Sequence, residues 1–310
     1  MKVFVCDISA LTYWRSVSEP PGKKTRIRRP FDTPRTRSDL GAIPGLGGFL
    51  RLGSAGRNKP LHLMVSRSDQ RLMSHDFVFH VHSSDLPVNS FMEVGPDVYV
   101  ASPELAFIQV CRTLSLIEAV ALGYELCGTY RVRSEGMVSA RKLMTKESLG
   151  ALAQQRCRPF GAVKARGFSR FIVEDSASPM ESRVAMRLSL PRHLGGFGLP
   201  APQMNRSIDL PGELADSLGR RYLKCDLMWP DRMVAVEYGS DRFHTGSDRI
   251  AFDAQRRNAL SRAGVQLLML TREQYRSSQG FSAFARTLCS KLGLRFREPA
   301  VAFDRTEFGC

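Results

Sequence analysis

The stretch KCDLMWPDRMVAVEYGS, residues 224–240, decides how the C-terminal half of the chain is read. It has the composition of two short apolar strands joined by a turn, and each strand carries a carboxylate, Asp226 in the first and Glu237 in the second. With Asp231-Arg232 as a two-residue loop, Asp226 stands directly opposite Glu237 with Cβ atoms about 5 Å apart, and Lys224 stands opposite Gly239 on the same face. Opposed carboxylates repel unless a cation lies between them. A hard divalent ion, Mg²⁺ or Mn²⁺, takes such oxygen ligands. The other reading is a pair of solvated acids on an exposed sheet face, and a one-residue slip in the turn would move one acid to the other side.

Upstream, SPMESRVAMRLSL (residues 178–190) predicts a helix opened by a capping box, with Ser178 as the cap and Glu181 at the third helical position. Glu181 also shares a face with Val184, Ala185 and Leu188, so a purely capping role leaves its inward direction unexplained. Downstream, RIAFDAQRRNALSRAG predicts a long helix, VQLLML a buried strand and GFSAFARTLCSKLGL a closing helix. The C-terminal half therefore reads as helix, hairpin, helix, strand, helix. Arg220 and Arg221, beside the first strand of the hairpin, suit a phosphate clamp. Arg256 and Arg257 on the long helix either hold phosphate or pair with Asp253 one turn away. His244 is a general base, a phosphate contact or an ordinary loop histidine.

A helix glutamate followed by an aspartate and a glutamate on adjacent strands resembles the PD-(D/E)xK nucleases. Residues 181–275 look like the branch containing the very-short-patch repair endonucleases. The matching residues are Asp226, VEYGSDRFH with Glu237 and His244, Asp253-Ala-Gln-Arg256, Leu260, Gly264 and VQLLML. The resemblance implies a restriction-endonuclease-like α/β domain with a mixed central sheet, hydrolysing DNA phosphodiesters with Mg²⁺ or Mn²⁺. It implies Asp226 and Glu237 as metal ligands, with Glu181 assisting. One position departs: the family carries Lys or Asp two residues after the glutamate, where this chain has Gly239. Either the site is a binding-only descendant, or Lys224 across the hairpin supplies the missing ammonium, or Lys224 is a surface lysine.

The N-terminal half predicts an α+β module. A strand, KVFVCD, and a helix, ISALTYWRSV, precede PPGKKTRIRRPFDTPRTR, residues 20–37, whose seven basic residues and four prolines predict an exposed basic arm. LHLMVS, DFVFHVH, SFMEVG and VYVA predict strands. His80 and His82 share a strand face with no third metal ligand evident beside them. SPELAFIQVCRTLSLIEAVALGYEL predicts two helices, the first opened by Ser102 with Pro103 behind it. Residues 60–135 resemble the C-terminal region of the AbiE-type antitoxins, without the winged helix with which such antitoxins begin. That resemblance implies an antitoxin-like module over residues 1–145 with a cognate toxin protein as partner. A helical connector is expected over 146–176, the nuclease-like domain over 177–297, and a tail over 298–310.

Composition narrows the classes. The 310 residues carry 45 Lys and Arg against 30 Asp and Glu, a net charge of +15, which predicts a polyanionic partner, DNA first among them. No apolar run is long enough to cross a membrane and the N-terminus lacks a signal-peptide pattern, so a cytoplasmic protein with no membrane contact is expected. Seven dispersed cysteines without a CxxC pair predict reduced thiols and argue against a structural zinc site. Three readings follow: a metal-dependent DNA endonuclease, a non-catalytic DNA-binding regulator of antitoxin type with a degenerate nuclease domain, and a toxin-neutralising module using the apolar helices at 102–125.

Overall fold

The computed structural model describes residues 1–17, 23–43, 46, 60–73, 75–154, 160–239 and 247–303; the side chains of residues 37, 217 and 247–253 lie outside that description. The chain divides into two compact units, Met1–Ile172 and Val173–Cys310. Both mix helices with sheets that combine parallel and antiparallel pairs. Among the described residues no helix is long and apolar enough to cross a membrane.

In the first unit the strands are β1 (Val3–Val5), β2 (Lys23–Lys24), β3 (Leu61–Val65), β4 (Phe77–Val81), β5 (Phe91–Gly95) and β6 (Val98–Ala101). They form one six-stranded sheet in the order β2-β5-β6-β1-β3-β4. The chain's first strand is thus interior, parallel to β6 and antiparallel to β3. Its residues Val3, Phe4 and Val5 are buried, with Phe4 between the rings of Phe91 and Tyr99. The helices are α1 (Asp7–Ser16), α2 (Arg37–Gly41), α3 (Pro103–Val110), α4 (Leu116–Leu126), α5 (Lys146–Ala153) and α6 (Ala162–Ser169), with a separate hairpin of β7 (Tyr130–Arg133) and β8 (Gly136–Ser139).

Two sequence expectations change here. The basic arm is pinned along this unit. Lys23 and Lys24 pair with Met92 and Glu93 at the sheet edge, Arg28 Nε donates to Leu86 O (3.1 Å), and Arg29 pairs with Asp85 (3.1 Å). Its backbone is held although most of its cations face solvent. The connector helices α5 and α6 pack within this unit, against α3, α4 and each other. The apolar helices α3 and α4 are core elements with no exposed residue along them, so residues 103–110 and 116–126 offer no free apolar face to a toxin. Gly123 shows how tightly they are covered: a Cβ there would lie 2.2 Å from Ile172 Cδ1.

The second unit has α7 (Pro179–Ser189), β9 (Gln203–Asp209), α8 (Gly212–Leu218), β10 (Tyr222–Trp229), β11 (Val234–Gly239), α9 (Ser247–Arg262), β12 (Gln266–Thr271), α10 (Arg272–Arg276) and α11 (Ser278–Leu292). Its sheet has four strands, ordered β12-β11-β10-β9, where sequence reasoning found only three. The missed strand, β9, is a polar edge strand antiparallel to β10. β12 runs parallel to β11 after the α9 crossover. Leu223, Cys225 and Ala235 pack with Ala259, Leu260 and Val265 into one apolar cluster.

The hairpin register is the expected one, reached by a different turn. Leu227 pairs with Val236, Met228 with Ala235 and Trp229 with Val234. A single 3₁₀ turn over Pro230–Arg232, followed by Met233 at φ +50°, replaces the two-residue loop. Lengthening the loop by two residues preserves which side chains face each other, because strand faces alternate with period two.

Candidate functional site

Asp226 sits where the ladder on both sides of β10 is interrupted. Towards β9, pairing runs to Cys225–Arg206 and resumes at Leu227–Met204, and Asn205 between them holds φ +49°. Towards β11, Asp226 Oδ2 accepts the N–H of Tyr238 (3.0 Å), a backbone donor satisfied by a side chain just past the last backbone pair. Such local breaks re-aim a side chain out of a regular sheet and are common beside active sites.

Three acids meet in this region. Glu181 on α7 is buried, and its carboxylate accepts from Ala177 N (2.9 Å), Ser178 Oγ (2.9 Å) and Asn205 Nδ2 (2.6 Å). Ser178 Oγ in turn caps the helix by accepting Glu181 N (3.2 Å). Glu181 is therefore both part of the cap and inward-facing. Asn205, which no motif marks, is the residue that links it to the sheet. Glu237 on β11 is buried and is clamped by the Arg256 guanidinium from α9, which also donates to Lys224 O. Both Glu237 carboxylate oxygens therefore meet the Arg256 guanidinium, Oε2 as a hydrogen-bond acceptor and Oε1 as an ion-pair contact.

The electrostatic consequence falls on Asp226, whose pKa is raised to about 7, first by burial and next by the charge of Glu181. Glu237 adds to the rise, while the Tyr238 N–H and Arg256 oppose it. A carboxyl group raised above its ordinary value stabilises the fold while it is protonated, and that contribution is lost as pH rises towards 7. Asp226→Asn keeps an acceptor for Tyr238 N and removes the charge. The variant is expected to be more stable than the parent by about 2 kcal/mol at pH 8, with the difference vanishing near pH 4, as read by thermal denaturation at both pH values.

A cleft of about 500 Å³ opens beside the acids, lined by Arg220, Arg221, Tyr222, Leu223, Lys224 and Arg256. Arg220, Arg221 and Lys224 are exposed at its rim. Arg257 is exposed on α9 and does not line it. Lys224 lies beyond the last β10–β11 pair, and Gly239 pairs instead with Thr271 of β12. His244 lies outside the described residues, as does the side chain of Asp253. Glu181, Asp226 and Glu237 are not among the described sets of three whose ligand atoms all lie within 4.8 Å of one another.

Carboxylate oxygens are the donors that a hard divalent ion takes. Arg256 is at present the cation that meets Glu237. Neither a protein-family model, nor a curated protein, nor a solved structure matches this chain.

Proposed function

We propose that the second unit is a PD-(D/E)xK-type nuclease of restriction-endonuclease-like fold, hydrolysing DNA phosphodiesters with Mg²⁺ or Mn²⁺. The observation that carries this reading is the raised Asp226 carboxyl, opposite Glu237 and under the charge of Glu181, beside an Arg- and Lys-lined cleft. The element order α7, β9, β10, β11, α9, β12 around a mixed four-stranded sheet supports the same assignment.

Asp226 and Glu237 would hold the ion, with Glu181 shaping the field around them through Asn205. The ion supplies water activation and charge neutralisation at the leaving oxygen. The chain's own residues do the rest. The Tyr238 N–H fixes the Asp226 carboxylate, and Arg220 and Arg221 bind the phosphate backbone. Lys224, two residues before Asp226 on β10, takes the place of the cation missing at Gly239 and steadies the nucleophile.

A second reading, a DNA-binding regulator without catalysis, is favoured by two observations. Arg256 already neutralises Glu237, and no side chain stands at Gly239. The deciding experiment is nicking of supercoiled plasmid by the full chain in Mg²⁺ or Mn²⁺, beside an Asp226→Ala/Glu237→Ala double variant. Nicking that falls at least a hundredfold in the double variant is expected; losses of that order attend removal of groups that stabilise transition-state charge. Equal, salt-sensitive DNA binding by both proteins with no nicking by either would establish the regulator.

A further inference from the structure

The first unit holds a second grouping of chemistry-bearing side chains, independent of the carboxylates above. We propose that Asp7, His62 and His80 bind a divalent first-row transition ion of the zinc class, with a further coordination position left open to solvent.

The three residues come from three elements. Asp7 follows β1 and opens α1, His62 lies on β3, and His80 lies on the parallel neighbour β4. Met64 pairs with His80 and His62 with Val78, so both imidazoles project from one face, offset by two residues. One ligand atom from each of the three lies within 4.8 Å of the others, a property found in no other set of three His, Cys, Asp or Glu among the described residues. His80 Nε2 and His62 Nδ1 are 3.0 Å apart, and His62 Nδ1 is 3.8 Å from Asp7 Oδ1. Ligand atoms around a tetrahedral ion with bonds of about 2.0–2.1 Å lie about 3.3 Å apart, a spacing between the two separations above.

Asp7 is held for this task from behind. Its Oδ2 accepts Arg112 Nη2 (2.7 Å), its backbone N–H donates to Gln109 Oε1 (3.0 Å), and Arg112 Nε is anchored on Gln109 O (2.8 Å). Oδ1 accepts the Ile8 N–H (2.9 Å) and lies 3.8 Å from His62 Nδ1. A partner on the outer oxygen that orients the inner one is the usual support of a ligating carboxylate. Asp7 adopts φ +54°, a conformation that costs an L residue energy and here aims the carboxylate at the histidines.

The protonation states suit binding. Burial holds His62 below the usual histidine value, with Arg112 adding to that and Asp7 opposing it. Burial does the same to His80, helped by His62, Arg112 and Arg71 and again opposed by Asp7. The facing nitrogens of the two rings share one hydrogen bond, so one of them carries a proton, and that ring must pass to its other tautomer for both facing nitrogens to hold an ion. Two imidazoles with one carboxylate select zinc-class ions over Mg²⁺. Access runs past Arg112, whose side chain is 37% exposed.

His62 and Asp7 were not singled out by sequence reasoning, and the expected partner of His80, His82, is not part of the set. The cysteine argument against a structural zinc site concerns thiolates. Cys6, Cys111, Cys127, Cys225 and Cys289 are buried and do not join this set.

The test is equilibrium dialysis of the full chain, carrying Cys157→Ser/Cys310→Ser, against Zn²⁺ alone, followed by metal analysis. One Zn²⁺ per chain is expected. His62→Gln and His80→Gln should each weaken binding at least tenfold, while His193→Gln, at an exposed histidine outside both sites, leaves it unchanged. Far-ultraviolet circular dichroism of the metal-free variants checks their folding. If either variant fails to fold, Co²⁺ added to the parent chain decides: visible bands of nitrogen and oxygen coordination support the site. Sub-stoichiometric Zn²⁺, equal affinity in the His62 and His80 variants, equal loss of binding in His193→Gln, or no Co²⁺ bands would overturn it.

Discussion

Replacing Arg256 by glutamine is expected to destabilise the second unit by about 3 kcal/mol at pH 8, the usual cost of stranding one member of a buried ion pair. Glu237 is 6% exposed, and Arg256 is the hydrogen-bond donor to its carboxylate. Without the guanidinium, that charge remains in a low-dielectric site beside Asp226, whose pKa Arg256 also holds down. The loss should shrink towards pH 5, where Asp226, raised to about 7, is protonated and no longer repels Glu237. It should also be recoverable by divalent ions. If Asp226 and Glu237 hold Mg²⁺, a concentration ten times the dissociation constant restores about 1.4 kcal/mol, and Arg256→Gln/Asp226→Asn should not recover. The measurement is urea denaturation with and without Mg²⁺, followed by Trp229 fluorescence in a Trp14→Phe background. The chain's two tryptophans fall one in each unit and report separately. Loss without recovery by Mg²⁺ would make Arg256 the permanent counter-ion of a binding-only domain.

Glu125→Ala is expected to cost the first unit about 3–5 kcal/mol. Glu125 is 3% exposed and its carboxylate joins three elements. Oε1 accepts Arg15 Nε (2.9 Å) from α1 and Val132 N (3.1 Å) from β7, and Oε2 accepts Arg15 Nη2 (2.6 Å), while the residue itself ends α4. Around it Arg131 donates to Glu125 O (3.0 Å), and Arg133 donates to the carbonyls of Arg15 (2.8 Å) and Ser16 (2.9 Å). Alanine leaves a guanidinium, a buried N–H and a cavity with no replacement. Glu125→Gln keeps most of the hydrogen bonding and should cost about 1 kcal/mol. Trp14 is buried, with Nε1 bonded to Ala101 O (2.8 Å), so its fluorescence in a Trp229→Phe background reads both variants. Equal stability of the alanine variant and the parent would show that the network carries no net energy.

What the sequence shows of this architecture follows from how far apart the interacting residues are. The starts of α3 and α7 were legible because Ser102 and Ser178 cap within three residues of themselves. The β10–β11 register follows from a turn centred on Asp231-Arg232, and the longer 3₁₀ turn keeps that centre and so the pairing. β9 was not. As an edge strand, Gln-Met-Asn-Arg-Ser-Ile-Asp presents mostly exposed or half-buried side chains, and its alternation is too weak to show. The basic arm is exposed, as its Pro and Arg content suggests, while the backbone pairing at Lys23–Lys24 leaves no mark on composition. Glu181, Asp226 and Glu237 stood out as acids in apolar segments. Arg256 as the partner of Glu237, Asn205 as the partner of Glu181, and Asp7 with His62 and His80 are encounters made by the fold, between residues whose spacing carries no period.

The interior position of β1 bears on how the protein is made. Val3–Val5 are synthesised nearly a hundred residues before their parallel partners Val98–Val100. At about 5–20 residues per second, several seconds of translation separate the two halves of that ladder. During that interval the apolar Val3-Phe4-Val5 segment is a nascent strand with its central partner still unmade. A holding chaperone is expected to engage the nascent chain there, and to let go once Ala101 has emerged.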